Sequence, residues 1–216
     1  MNKNATLVAM QFDNSEQEHS AALLGMWIFL ATEVLFFGGL FVAYTVYRYE
    51  YPAAFQAGSK HLAIWSGAVM TGFLLLGSLL VAISEEVFEQ DHYRQVFWNL
   101  LITAGLGVLF LSLEFYEYHD LIGHNLFPGD EFEWPAKQAA PLSGRSTEIF
   151  FVLFFCMTGL HALHMLIGIS LVIGLAIWFH NTKAPAQLKN QLTVIGLYWH
   201  FVDIIWVFLF PLFYLV

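Results

Sequence analysis

Five long apolar runs constrain this chain of 216 residues more than any other feature, at 23–46, 62–83, 96–117, 149–179 and 192–215. Each reaches roughly the 20 residues that an α-helix needs to cross a bilayer. Inside hydrocarbon every backbone N–H and C=O must find a partner within the protein, and a helix meets that demand within its own segment. The expected fold is therefore all-α: a polytopic membrane protein whose 21–216 region is a bundle of five transmembrane helices, preceded by a polar tail at 1–20. No stretch remains for a separate soluble domain. The tail lacks the basic start and short apolar core of a cleavable signal, so the first run is expected to stay as an anchor. The fourth run exceeds what the bilayer requires and should tilt or project from it.

Charge supports this reading. The chain is 58% hydrophobic and only 12% charged, against roughly 25% charged for a soluble domain. Lys and Arg together number 8, and none lies deep in an apolar run, because a cation at the bilayer centre costs roughly 2.5–3.5 kcal/mol on insertion scales. A net charge of −9 leaves nothing to neutralise phosphates, so nucleic acid is not an expected partner. The cations do not orient the bundle. Lys3, Arg94, Lys183 and Lys189 fall on one side, and Arg48, Lys60, Lys137 and Arg145 on the other, an even division.

Aromatic residues crowd the run ends, among them Tyr44, Tyr47, Tyr49, Tyr51, Tyr93, Trp98, Tyr116, Tyr118 and Trp178, as anchors at the headgroup level do. Cys156 is the only cysteine. It excludes an intrachain disulfide and a thiolate metal cage, and reads as a small packing residue. The connection at 119–147 is the only long one. It carries Asp130, Glu131, Glu133 and Trp134 and reads equally as a solvated loop or as a contact for a partner outside the membrane. His119 and His124 should be solvated. Ala68 and Gly72, and Ala104, Gly105 and Gly107, mark expected close approaches between helices.

Ionisable residues inside spans carry a functional expectation by default, because they are costly there. The set is Glu33, Glu114, His161, His164, His200 and Asp203. Glu33 has no cation near it in sequence. It reads either as an acid that exchanges protons or meets lipid, or as a neutral carboxyl bonded to a neighbouring helix. His161 and His164 share a helix face at i, i+3. Two histidines do not complete a metal site, and interhelical hydrogen bonds, worth about 1 kcal/mol each, are the simpler reading. His200 and Asp203 repeat that spacing, and the aspartate could fix the imidazole tautomer. Glu114 and Glu117 lie near a span end, where water is expected. No nucleophile–base pair or phosphate loop is visible.

These residues belong to longer motifs that resemble subunit III of the haem–copper respiratory oxidases. Gly25-Met-Trp-Ile-Phe-Leu-Ala-Thr-Glu33-Val-Leu-Phe-Phe is similar to the family helix that bears a buried glutamate. Thr158-Gly-Leu-His161-Ala-Leu-His164 is similar to its Thr-Gly-x-His-x-x-His segment, and Tyr198-Trp199-His200-Phe-Val-Asp203-Ile-Ile-Trp206 to its most recognisable signature. With Glu114-Phe-Tyr-Glu117, these stretches cover most of the chain in the family order. Leu111 departs from the pattern, since many members have glutamine there.

The resemblance implies the short, five-helix form, which lacks the first two helices of the long form and so one wall of its phospholipid cleft. It implies a non-catalytic subunit with no haem, copper or other cofactor of its own, the metals being carried by partner subunits, and with phospholipid as a possible ligand. Subunit I is the implied direct partner, with subunit II, other respiratory subunits and membrane lipids nearby. Glu33 would be the proton- or lipid-associated acid. Glu114, His161, His164, His200 and Asp203 would be interhelical links, and Trp199 and Trp206 packing residues. A bacterial inner membrane, with the N-terminus cytoplasmic and the C-terminus outside, is implied in the same way. Thr32-Glu33 resembles the cytochrome c branch; a quinol oxidase subunit is the alternative. A haem- or metal-binding membrane enzyme and a small proton transporter are readings from other classes.

Overall fold

The computed structural model describes residues 15–130, 132–134, 144–182 and 188–216. Most of the expected tail, with Lys3, lies outside the described residues, as do Glu131, Lys137 and Lys183. The described chain is helical: α1 (Ser15–Glu50), α2 (Pro52–Ser59), α3 (Ile64–Glu89), α4 (Tyr93–Gly123), α5 (Gly144–Asn181) and α6 (Lys189–Tyr214). All but α2 are long and apolar enough to cross a membrane. Large apolar side chains on every long helix point outward, including Leu35, Val42, Leu79, Leu109, Ile177 and Phe208. Water would not tolerate so continuous an apolar surface, whereas lipid solvates it.

The helices outlast the apolar runs. α1 has 36 residues and α5 has 38, about 54 and 57 Å at 1.5 Å per residue, against a hydrocarbon core of about 30 Å. The first turns of α5 pack under the short α2, where Phe55 and Phe150 meet edge to face at 5.4 Å, and against Phe132 and Trp134 of the preceding loop. The start of α5 is thus covered by protein. Pro52 at the first helical position starts α2, where its missing N–H costs nothing. Tyr44 of α1 donates to the Leu212 carbonyl in the last turn of α6, satisfying an acceptor that a helix end leaves open.

α6 is the central helix and α1 the peripheral one. In its most apolar stretch α6 is 56% buried, and α1 only 11%. The core is organised around Trp199. A Cβ added to Gly77 of α3, Gly107 of α4 or Gly168 of α5 would meet the Trp199 ring at 3.4, 3.0 and 3.5 Å respectively. Three helices therefore approach one indole through glycine. Some expected small-residue contacts differ. Ala68 is exposed, and Gly72 and Gly105 have open space where a Cβ would stand. Ala104 and Gly107 do face inward, as do Gly67 and Gly77. Cys156 is also exposed and does not pack in the core.

Candidate functional site

Polar side chains within the spans form three groups. The first joins α1 to α5. Glu33 Oε2 lies 3.3 Å from His164 Nε2, with both side chains largely shielded. His164 Nδ1 lies 2.8 Å from the Leu160 carbonyl, which can only accept, so Nδ1 carries a hydrogen. In a neutral ring Nε2 is then bare. The Glu33–His164 contact therefore uses one proton, carried by either the carboxyl or the imidazole. Tyr198 of α6 braces the same level, donating to the His164 carbonyl at 3.1 Å and facing Phe29 of α1.

The second group joins α3 to α6. Ser78 Oγ is 2.6 Å from His200 Nδ1. His200 is thus tied to α3 through Ser78, a residue that no sequence pattern marks. Nearby, Trp206 Nε1 donates to Thr71 Oγ1 at 3.0 Å.

The third group ties α4 to α5, α6 and the start of α3. Tyr118 OH is 2.6 Å from Thr158 Oγ1 and 3.4 Å from Glu114 Oε1. Tyr214 donates to Glu117 Oε2, and the Ala63 N–H donates to Glu117 Oε1. Glu114 and Glu117 are 2% and 7% exposed, so the expectation that water reaches them is corrected. Helix α4 continues to Gly123, and its neighbours cover both carboxyls. His119 and His124 are exposed, although His119 lies on the helix and His124 caps it.

His161 differs from the other expected links. It is fully buried, its ring lies between Phe110 of α4 at 5.4 Å and Trp206 of α6 at 5.2 Å, and neither ring nitrogen has a hydrogen-bond partner among the described residues. It contacts its neighbours through ring faces. Asp203 Oδ1 and Glu114 Oε2 are likewise buried without a partner among the described residues. Such groups cost about 1–3 kcal/mol each when left unpaired. Tyr118, Tyr214 and Ser78 are the partners that sequence reasoning missed. A tyrosine four residues after Glu114 was the one available signal, since i, i+4 side chains share a helix face.

Beside the first group, an apolar groove of ≈ 450 Å³ runs between α1 and α6. Trp27, Leu30 and Phe41 line one wall and Phe201, Ile204 and Phe208 the other, with His200 at its side. No group of three or more His, Cys, Asp or Glu side chains is placed to hold a metal ion among the described residues.

The fold and these groups define an integral membrane protein: a five-span helical bundle with several polar contacts between its helices. The sequence profile of cytochrome c oxidase subunit III matches residues 138–216. Cytochrome c oxidase subunit 3 of Thermostichus vulcanus is 31% identical over 211 residues, covering 96% of this chain and 93% of the relative. The probable quinol oxidase subunit 3 of Staphylococcus haemolyticus is 25% identical, covering 94% and 93%. A haem–copper oxidase subunit I+III of Aeropyrum pernix is 26% identical, covering 88% of this chain and 22% of the relative. The chain belongs to the subunit III family of the haem–copper oxidases.

Proposed function

We propose that this chain is a non-catalytic subunit III of an aa3-type cytochrome c oxidase, packed against subunit I in a bacterial inner membrane. The observation that carries the reading is the Glu33–His164 pair, a one-proton contact on the least buried helix. It stands where a neighbouring subunit or lipid can reach it. In this reading the pair holds a proton near the catalytic subunit and helps sustain proton uptake during turnover. The Ser78–His200, Tyr118–Thr158 and Tyr214–Glu117 bonds link helices, and haem and copper reside on partner subunits. The fused relative, whose name joins subunits I and III, supports direct contact with subunit I. Subunit II completes the complex. In this reading the N-terminus is cytoplasmic and the C-terminus lies outside.

The groove between α1 and α6 supports a role in lipid binding. Its wall on α1 runs from Trp27 to Phe41, about 21 Å along the helix, longer than one leaflet of a ~30 Å hydrocarbon core. An acyl chain fits that length and that apolar lining.

The test is to remove the chain, or to replace Glu33 by Leu, in the purified oxidase and follow oxygen consumption. The expected result is near-normal initial turnover that decays faster than in the intact complex, with an unchanged haem spectrum. Loss of haem on removal of this chain, or turnover that decays no faster, would refute the reading. A quinol oxidase subunit is the second reading, favoured by the staphylococcal relative. Electron delivery from a quinol but not from cytochrome c in the purified complex would establish it.

A further inference from the structure

We infer that the bundle interior contains a binding site for one water molecule between Glu114 of α4 and His161 of α5. Helical register brings the two side chains together. Phe110, Glu114 and Tyr118 follow one another at i, i+4 on the inner face of α4. Phe110 touches His161, and Tyr118 touches Thr158, one turn from His161 along α5. The Glu114 carboxyl sits between those two contacts, enclosed by the same pair of helices. It is 2% exposed and His161 is 0% exposed.

Hydrogen-bond arithmetic specifies the ligand. Tyr118 and Thr158 bring two hydroxyl protons. Three contacts require them: Thr158 to the Phe154 carbonyl at 2.7 Å, Tyr118 with Thr158, and Tyr118 with Glu114 Oε1. None reaches Glu114 Oε2, which has no partner among the described residues. The two hydroxyls therefore leave Oε2 unsatisfied. A neutral His161 offers one N–H donor and one bare nitrogen, both without partners among the described residues. One water meets both needs, accepting from the imidazole N–H and donating to Oε2. Buried waters of this kind typically make two to four bonds to polar groups that the protein leaves open. The surrounding Phe110 and Trp206 rings offer no competing donor at the carboxyl and exclude bulk solvent. The site links α4 to α5 and is independent of the proposed role in the oxidase.

The test is a density map of the intact complex in lipid, at a resolution that shows ordered water. The expected feature is a single peak within hydrogen-bond reach of both Glu114 Oε2 and a His161 nitrogen. A direct carboxyl–imidazole bond, or the two groups paired elsewhere with apolar contact between them, would overturn the proposal. A second measurement uses retention of the chain by the complex in increasing detergent. Glu114→Leu and His161→Phe should each lower retention by about tenfold, since each strands one buried group. The double variant should lose less than the two combined, because it strands neither. Strictly additive losses would refute a shared site.

Discussion

Glu33 on α1 and His164 on α5 face each other at 3.3 Å, and the second nitrogen of that imidazole is already committed to the Leu160 carbonyl. The outermost helix is thus fastened to the bundle by a contact in which one proton is shared. Near its far end Tyr44 adds a bond to the Leu212 carbonyl of α6.

Glu33→Gln should leave assembly nearly intact, within about 0.5 kcal/mol, because the amide keeps a donor for His164 Nε2 and a similar shape. Glu33→Leu should cost about 1 kcal/mol, the usual scale of an interhelical hydrogen bond. Recovery of the chain with the purified complex measures both. Failure of the Gln variant to assemble would mean that the site requires a full negative charge facing a cation on another chain.

Trp206→Ala should be among the most damaging single changes. The indole is fully buried, meets Phe110 at 4.7 Å, lies beside His161 and donates to Thr71. Truncating such a side chain costs roughly 3–5 kcal/mol. The variant should be lost from the complex in mild detergent, and normal recovery would contradict this packing.

Two neighbouring glycines on α4 should respond in opposite ways. Gly107→Ala places a methyl 2.8 Å from Ile169 and 3.0 Å from Trp199, and such overpacking costs about 1–3 kcal/mol. Gly105→Ala meets nothing within 4 Å and should be neutral or slightly stabilising. Thermal denaturation of the complex, followed through this subunit, distinguishes the two.

Lys189→Ala should change little. Its ion pair with Glu89 joins α6 to α3, but both side chains are more than half exposed, and pairs of that kind contribute about 1 kcal/mol or less. A measurable loss of stability at high salt, where the pair is screened, would show a larger role.

Ser78→Ala removes the hydroxyl bonded to His200. The cost should be about 1 kcal/mol, the usual scale of an interhelical hydrogen bond, read from recovery of the chain with the purified complex. Ser78→Thr, which keeps the hydroxyl, should recover most of it.

The composition and the five apolar runs determined by themselves that this chain is a helical bundle solvated by lipid, because runs of that length have no other stable backbone solution in hydrocarbon. The motifs around Glu33, His161 and Trp199 determined the family. Which residues meet was decided only by the tertiary structure, and the reason is physical. In water, a helix reveals its inner face by being polar on the other. In lipid both faces are apolar, so nothing in the pattern told Gly107 from Gly105, or an outward Cys156 from a packed one. Nor could sequence show that α4 runs on far enough to bury Glu114 and Glu117, that Ser78 would bond His200, or that His161 would meet rings where a hydrogen bond was expected. Those outcomes depend on how four helices close around Trp199, and that closure exists only once the bundle is packed.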